Sequence, residues 1–304
     1  MTHSRAFHPE GRLLMRYRKA SLQTALVRDS LKYGVLAPDD NPGGLPLLFL
    51  LHGGGGDRRM LENQVALIEA AVAQGVIEPL VVVTPSVGMS YYMDSIDGDE
   101  RWETAIMTVL TDQVAQDYGV DTDRQVIAGV SMGGVGSLRL AFRHPGRFVA
   151  VAALEAGVDP FLRLADKPAW YAHSEDARIG DKFGVPVDEA YWRSLNPASI
   201  AADDPDRLKA SGLRIFIEVG THDGLFNHHN VEFLHRVLFD HGIKHEYRTI
   251  LGADHIGASL PGRITEALRF LGNSLVPEVP DEAAEEFRAA IRRNYEARGI
   301  TPPD

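Results

Sequence analysis

The chain has 304 residues, of which 44% are hydrophobic, and this is enough apolar surface for one large core or two small ones. The formal net charge is −11 and no run is rich in Lys and Arg, which argues against nucleic acid or an anionic membrane surface as a partner. The sequence contains no cysteine, which excludes disulfides, thiolate catalysis and thiolate metal sites.

The beginning of the chain carries no targeting pattern. Residues 1–9 lack the apolar segment that a secretory signal requires, and apolar runs such as 45–51 are too short to span a bilayer. We therefore expect a cytoplasmic protein with no membrane partner.

Strands that alternate with helices predict an α/β fold, with a mainly parallel sheet of about eight strands and helices on both faces. Short continuous apolar runs such as 47–51 are typical of strands that are buried on both sides. In chain order, the predicted strands are 12–18, 23–36, 47–51, 80–84, 125–129, 149–154, 214–219 and 246–251, and the predicted helices are 61–74, 102–118, 132–143, 225–242 and 263–271.

A long insertion interrupts this alternation before the strand at 214–219. Residues from about 157 to 212 are polar and carry prolines, and an insertion of this length is typical of an active-site cap. Surface packing without a role in substrate binding is the alternative. Trp170, Tyr171, Tyr191 and Trp192 are interspersed in this insertion.

The end of the chain forms a separate predicted segment. Residues 281–298 have a charged amphipathic pattern, with Ala284, Phe287, Ile291 and Tyr295 on one stripe of a helix. We expect this helix to pack on the body of the protein or on a second subunit, which would make a homodimer. The predicted organisation is one catalytic domain at 1–275, including the insertion, and a helical tail at 276–304.

The pentapeptide Gly129-Val130-Ser131-Met132-Gly133 fits a serine nucleophile on a sharp turn between a strand and a helix. An apolar strand precedes it, and a helical pattern follows it until His144-Pro145. Glycine on both flanks is needed because side chains there would clash in such a turn. An ordinary turn before a helix is the alternative.

A serine nucleophile requires a base, and the base requires a carboxylate that fixes its tautomer. In α/β-hydrolases these residues follow in the order serine, acid, histidine, on loops after later strands. Asp223 follows the strand at 214–219, and His255 follows the strand at 246–251. Glu155, after the strand at 149–154, is an alternative acid. Asp254 is badly placed to orient the ring of its neighbour, and we expect it to cap a turn.

A glycine run, His52-Gly53-Gly54-Gly55-Gly56, follows the strand at 47–51. Glycines let backbone N–H groups approach the carbonyl oxygen that becomes negative during acyl transfer. We predict that Gly54 and Met132 donate these N–H groups. Further predicted substrate contacts are Gly53, Gly55 and Trp102, and His52 is expected to support the loop. A phosphate-binding loop is disfavoured, because its Lys-Ser/Thr pair and G-x-G-x-x-G spacing are absent.

Several histidines lie near Asp223 in the sequence, and a metal site is one alternative for them. A helix surface with capping and packing histidines is favoured, since neighbours such as His228 and His229 do not share a helix face. No metal and no cofactor is expected, because a serine triad works without either. The six histidines are His222, His228, His229, His235, His241 and His245.

On these residues, the chain resembles the esterase D-like branch of the α/β-hydrolases. That branch includes S-formylglutathione hydrolases, feruloyl and acetyl-xylan esterases, enterobactin-type esterases and trehalose mycolyltransferases. The resemblance implies the α/β-hydrolase fold, with Ser131 as nucleophile, His255 as base, Asp223 as acid, and Gly54 and Met132 as oxyanion donors. It extends over roughly residues 10–272, and the matching segments are 47–56, 101–104, 129–136, 144–148, 220–223 and 252–255.

These observations predict a serine esterase that acts on a small-molecule ester through an acyl-enzyme. An acyltransferase is the second hypothesis, because it uses the same intermediate and differs in how it excludes water. A catalytically silent hydrolase fold that serves for binding is the third. Tyr91, Tyr92 and Trp102 would fit an apolar or aromatic acyl pocket, with simple packing as the alternative.

Overall fold

Eight strands form one sheet at the centre of the protein, which confirms the predicted α/β fold with about eight strands. The structure is a computed structural model that describes residues 14–40, 43–171 and 180–301. The strands are β1 (Met15–Leu22), β2 (Leu31–Pro38), β3 (Pro46–Leu51), β4 (Val81–Pro85), β5 (Asp121–Val130), β6 (Ala150–Leu154), β7 (Arg214–Gly220) and β8 (Glu246–Ile250).

The strand order across the sheet is β1-β2-β4-β3-β5-β6-β7-β8. The first two pairings, β1 with β2 and β2 with β4, are antiparallel, and every pairing from β4 to β8 is parallel. Because the carboxyl ends of parallel strands meet at one edge, the loops that follow β3, β5, β6, β7 and β8 are brought together there.

Helices cover both faces of the sheet. The segment that follows β4 begins as a short α-helix, continues through a π-helical turn at Ile106–Leu110 and ends as a second α-helix. The helices are α1 (Arg59–Ala73), α2 (Trp102–Ala105), α3 (Thr111–Tyr118), α4 (Met132–Arg143), α5 (Glu189–Leu195), α6 (Pro197–Asp203), α7 (Pro205–Ala210), α8 (Asn227–Asp240), α9 (Leu260–Leu275) and α10 (Glu282–Ala297).

The sheet separates two apolar cores, and β3 contributes to both. Leu47, Phe49 and Leu51 enter the core beneath α3, α4 and α8, whereas Leu48 and Leu50 enter the core beneath α1 and α9. Successive side chains of a strand point to opposite faces, so both sets must be apolar when both faces are covered. This explains the continuous apolar run from which the strand was predicted.

The first hairpin differs from its prediction. The predicted second strand at 23–36 begins instead at Leu31, and residues 25–29 form turns and a bend before it. Leu22 pairs with Leu31, so residues 23–30 form the loop of this hairpin. Arg28-Asp29-Ser30 contains residues that favour turns through local hydrogen bonds, which explains the break. Residues 12 and 13 of the predicted first strand lie outside the described residues.

The predicted insertion lies between β6 and β7 and contains α5, α6 and α7. Of its aromatic residues, Trp192 is fully buried and stacks on Phe161 with ring centroids 5.0 Å apart, whereas Trp170 is exposed. Helix α6 packs against α4 and α8, which fixes this part of the insertion above the sheet edge. Residues 172–179 of the predicted insertion lie outside the described residues.

Helix α10 is exposed along its whole length. None of its residues is buried, and Phe287, in the predicted apolar stripe, is 68% exposed. The expected packing of this helix on the body is therefore not seen, and packing on a second subunit stays a prediction. In the described part of the chain, every helix is too short or too polar to cross a membrane.

We expect two glycine substitutions in α9 to have opposite effects on stability. A Cβ atom at Gly272 would lie 2.5 Å from the Val76 carbonyl oxygen, whereas a Cβ at Gly262 would meet nothing within 4 Å. Gly272→Ala should lower the free energy of unfolding by about 2 kcal/mol, because the backbone must shift. Gly262→Ala should raise it by about 0.5 kcal/mol through helix propensity. Urea denaturation measures both, and equal effects would contradict this packing.

Candidate active site

Ser131 lies on a sharp turn between β5 and α4, as predicted. Its φ is +61° and its ψ is −120°, a backbone conformation that non-glycine residues rarely adopt. The N–H of Ser131 donates to the Leu154 carbonyl at 2.9 Å and ties the turn to β6. A Cβ atom at Gly129 would overlap the Gly133 backbone, and one at Gly133 would overlap the Leu51 carbonyl. The turn can therefore form only with glycine at both positions.

His255 and Asp223 are joined by a hydrogen bond. The Nδ1 atom of His255 lies 2.8 Å from Oδ2 of Asp223, on loops that follow β8 and β7. The Asp223 side chain is fully buried, and its Oδ1 accepts the N–H of Leu225 at 2.6 Å. Burial opposes ionisation, but the hydrogen bonds and charge of His255 outweigh it and hold the pKa of Asp223 well below its usual range. Asp223 is therefore an ionised partner that orients the imidazole.

The carboxylate of Asp254 binds backbone N–H groups and not the ring of its neighbour His255. Its Oδ1 accepts the N–H of Gly224 at 2.9 Å and the N–H of His255 at 2.6 Å. The carboxylate thus caps the turn that carries His255 and links it to the loop of Asp223. This agrees with the turn-capping role expected from the sequence.

Glu155, the alternative acid, lies directly after β6 and makes no hydrogen bond to His255 in the described structure. Its Oε1 accepts the N–H of Gly220 at 2.9 Å and pairs with Arg263, which also binds Glu218. Its Oε2 is buried and accepts no hydrogen bond from a donor in the described part of the chain. Oxygens of Glu155 and Asp223 and a ring nitrogen of His255 lie within 4.8 Å of one another.

Glu155 and Glu218 share one guanidinium, that of Arg263, and Asp223 lies beside Glu155. Ionisation of both glutamates would set two buried negative charges against a single guanidinium. Burial and the hydrogen bond with Asp223 raise the pKa of Glu155 to about 8, although Arg263 opposes this. Glu155 therefore carries a proton at neutral pH, while Asp223 is ionised.

We expect Glu155 to make stability fall as the pH rises from about 5 to 8. Across this range the native state holds a carboxyl proton that the unfolded state has lost, so the unfolded state binds fewer protons. Glu155→Gln keeps a neutral side chain and should flatten this slope, which is at most about 1.4 kcal/mol per pH unit. Melting temperatures of both proteins between pH 5 and 9 provide the measurement. Parallel curves would show that Glu155 is ionised throughout.

The glycine loop after β3 is fixed by His52, which is fully buried. Its Nε2 accepts the N–H of Val87 at 3.2 Å, so Nδ1 carries the proton and donates to the Gly53 carbonyl at 2.8 Å. Burial lowers the pKa of His52, which keeps the ring neutral. The hydroxyl of Tyr92 donates to the His52 carbonyl at 2.8 Å. The hydrogen bonds of His52 with Val87 and with Tyr92 thus hold the glycine loop in place.

Ser131 and His255 line the same cavity, which has a volume of about 320 Å³. Gly54 and Met132, the predicted oxyanion donors, line it as well. In the described structure Ser131 Oγ and His255 form no hydrogen bond, and such pairs are often looser in unliganded enzymes. The other lining residues are Met89, Tyr91, Val135, Arg139, Gly157, Asp159, Tyr171, Asn196, Pro197, Leu225 and Asn227.

Three predicted substrate contacts are not among the residues that line this cavity. Trp102 packs in the apolar core and is not among the described residues that line the cavity. Gly53 and Gly55 flank Gly54 in the loop but do not line the cavity either. Tyr92 is fully buried, so Tyr92 and Trp102 serve packing, whereas Tyr91 and Tyr171 reach the cavity.

The polar residues of the cavity, above all Arg139, Asp159 and Asn196, were not predicted from the sequence. The signal for Arg139 was a charged residue on the apolar face of α4, since every residue of this helix from Met132 to Phe142 is buried. Asp159 and Asn196 lie in the insertion and could not be placed without its fold.

The histidines near Asp223 do not gather as metal ligands. In the described residues, the group with three potential ligands in reach of one another is Glu155, Asp223 and His255. His235 and His245 instead bind each other, with Nδ1 and Nε2 2.8 Å apart, and His235 stacks on Tyr247. These rings therefore pack on the surface of α8.

Comparison with known proteins places the chain among esterases. The family model Esterase, described as "Putative esterase", matches residues 25–256. Esterase Rv1288 of Mycobacterium tuberculosis (strain ATCC 25618 / H37Rv) is 28% identical over 214 residues, which cover 66% of this chain and 44% of the relative. Diacylglycerol acyltransferase/mycolyltransferase Ag85B of Mycobacterium intracellulare is 30% identical over 98 residues, or 32% of this chain and 28% of the relative.

The chain spans less than half the length of these two relatives. Among solved structures, a ferulic acid esterase superposes with a TM-score of 0.70 and 21% identity, over 87% of this chain and 100% of that chain. At this identity the superposition supports the fold. The resemblance expected from the sequence motifs is confirmed.

Proposed function

The chain belongs to the Esterase family, and from this membership we propose that it is a serine esterase that cleaves small-molecule carboxylic esters. Ser131 is the proposed nucleophile, His255 the base and Asp223 the acid. Gly54 and Met132 are the proposed oxyanion donors. We also propose that residues 1–275 form the catalytic domain and residues 276–304 a helical tail.

One observation carries this proposal. The Asp223–His255 hydrogen bond and the strained Ser131 turn lie on loops from different strands, yet both reach the same cavity. A strained, half-buried serine that lines the same cavity as an oriented imidazole fits the arrangement that acyl transfer requires. Structural packing alone gives no reason for Ser131 to adopt a left-handed conformation.

In the proposed reaction, Ser131 Oγ attacks the ester carbonyl carbon while His255 Nε2 takes the hydroxyl proton. The carbonyl oxygen becomes negative and accepts the N–H groups of Gly54 and Met132. Met132 is the first residue of α4, so its N–H has no acceptor within the helix and lies at the positive helix end.

The second half of the reaction releases the acid. His255 gives its proton to the leaving alcohol as the acyl-enzyme forms. Water then attacks the acyl-enzyme carbonyl and gives a proton to His255, and the acid departs as Ser131 regains its hydrogen. Asp223 stays ionised throughout and stabilises the imidazolium of His255.

An acyltransferase is the second candidate function, and the sequence similarity to the Ag85B acyltransferase supports it. Such an enzyme forms the same acyl-enzyme and passes the acyl group to an alcohol instead of water. The difference lies in whether water reaches the acyl-enzyme.

A panel of p-nitrophenyl esters of rising acyl length tests the proposal. The purified protein should release p-nitrophenol, and a fluorophosphonate should stop release while adding one adduct to the peptide that contains Ser131. An adduct on another peptide, or no turnover of any ester, would overturn the proposal. Product analysis with added alcohol then separates the candidates: free acid alone supports the esterase, and a new ester supports the acyltransferase.

A further inference from the structure

One face of α4 connects the proposed nucleophile with a buried arginine. Met132, Val135 and Arg139 follow one another at helical spacing and all line the cavity. Arg139 lies seven positions after Met132, which is about 10 Å along the helix axis. The cavity thus runs from Ser131 past an apolar wall to a polar end.

Arg139 is placed to donate hydrogen bonds into this polar end. It is 5% exposed, its Nε donates to the Leu195 carbonyl at 2.7 Å, and its Nη1 donates to the Tyr91 carbonyl. A guanidinium has five N–H donors, so these two bonds leave three others. Within the described residues Arg139 forms no ion pair. Burial lowers the pKa of Arg139 to about 10, which leaves it charged at neutral pH.

Asn196 supplies an acceptor at the same end of the cavity. Its side chain is almost fully buried, and its Nδ2 donates to the Phe161 carbonyl at 3.1 Å and to Ser199 Oγ at 3.2 Å. Its Oδ1 has no hydrogen-bond partner among the described residues. A buried acceptor without a partner costs stability, so its persistence in a cavity wall indicates a ligand or a water that donates to it.

Asp159 supplies a negative charge at this end of the cavity. Its two carboxylate oxygens accept the hydroxyl of Tyr171 and, at 2.6 Å, the Nε1–H of Trp192. The negative charges of Glu103 and Asp159 both act on the Arg139 guanidinium, which therefore already has counter-charge nearby, so the cavity does not favour an anion. A neutral group that both accepts from a guanidinium and donates to an amide oxygen fits, and a hydroxyl group does both.

We propose that the cavity binds an acyl chain that carries a hydroxyl group at the end remote from the ester, held by Arg139 and Asn196. This inference rests on the proposed esterase function. The acyl part is assigned to this end because the leaving alcohol takes its proton from His255, whose side chain is 15% exposed, while Arg139 lies at the buried end. If the alcohol part were bound at the Arg139 end, the acyl group would block its release to solvent.

Matched esters test this directly. The kcat/KM of p-nitrophenyl hexanoate is compared with that of the 6-hydroxyhexanoate, and that of the octanoate with the 8-hydroxyoctanoate. At one of these lengths the wild type should favour the hydroxylated ester by roughly 10- to 100-fold, the value of a buried hydrogen bond to a charged group. Equal rates at both lengths, in a protein that hydrolyses the esters, would overturn the inference and leave the esterase function intact. No hydrolysis at all would instead contradict the proposed function.

Variants of Arg139 test whether its guanidinium donates the hydrogen bond to the hydroxyl group of the acyl chain. Arg139→Met should bring the preference for the hydroxylated ester over the plain ester of the same length to about 1. Arg143→Met is the matched control, since Arg143 lies one turn later, pairs with Glu103 and does not line the cavity. It should keep the preference. If Arg139→Met does not fold, as judged by fluorophosphonate labelling, Arg139→Lys should keep the fold and lower the preference. A preference that survives in every Arg139 variant that folds contradicts the proposal.

Discussion

Ser131→Ala should lower kcat by on the order of 10⁶, because the proposed acyl-enzyme cannot form without the hydroxyl. Only the smaller catalytic effect of the oxyanion donors and of substrate binding would remain. The fold should be unaffected, since the Ser131 N–H, which ties the turn to Leu154, is a backbone group. Hydrolysis of a p-nitrophenyl ester and labelling by a fluorophosphonate give the two measurements.

Ser137→Ala is the matched control for this substitution. Ser137 is buried in the same helix, its Oγ donates to the Gly133 carbonyl at 2.7 Å, and it does not line the cavity. The control should keep labelling and most of the activity, with a loss of about 1 kcal/mol in stability. Equal labelling of the wild type and of Ser131→Ala would refute the assignment of the nucleophile.

Much of the fold follows from the sequence because its signals are local. The strand β3 is buried on both faces and is apolar throughout, and α4 ends at the proline that follows it. The serine turn is equally local, since steric contact requires glycine at 129 and 133. Such features depend on a few neighbouring residues and can therefore be predicted from the sequence.

The polar end of the cavity could not be predicted in this way. Arg139 is on an otherwise apolar helix, and its partners, the carbonyls of Tyr91 and Leu195, lie 48 and 56 residues away in the chain. The choice between Asp223 and Glu155 also depended on the fold. Both follow adjacent parallel strands, and the fold distinguishes them because Asp223 bonds to His255 whereas Glu155 pairs with Arg263.

The exposed helix α10 shows a further limit of sequence patterns. Its apolar stripe predicted burial, yet Phe287 and Ile291 are 68% and 44% exposed. An amphipathic pattern indicates that one face of a helix favours contact with an apolar surface, but it does not indicate which surface covers that face.

Asp223→Asn should lower kcat by about 10⁴ and change KM by less than about threefold. Asparagine would present an N–H to His255 Nδ1 or leave its proton without a charged acceptor, so the ring would adopt the wrong tautomer and the imidazolium would lose its counter-charge. KM should stay nearly unchanged, because Asp223 is buried and does not line the cavity. Steady-state kinetics on one p-nitrophenyl ester separates the two parameters.

Asp254→Asn is the control for this substitution, because it removes a carboxylate from the adjacent turn while Asp223 remains 2.8 Å from His255. Its effect on kcat should stay within about tenfold, since an amide oxygen can still accept the N–H groups of Gly224 and His255. Glu155→Gln tests the second acid that the sequence offers. If Asp223→Asn kept more than a tenth of the activity while Glu155→Gln abolished it, the charge that supports His255 would come from β6 and not from β7. The hydrogen bonds of Asp223, and the pKa of that group far below its usual range, lead us to expect the reverse.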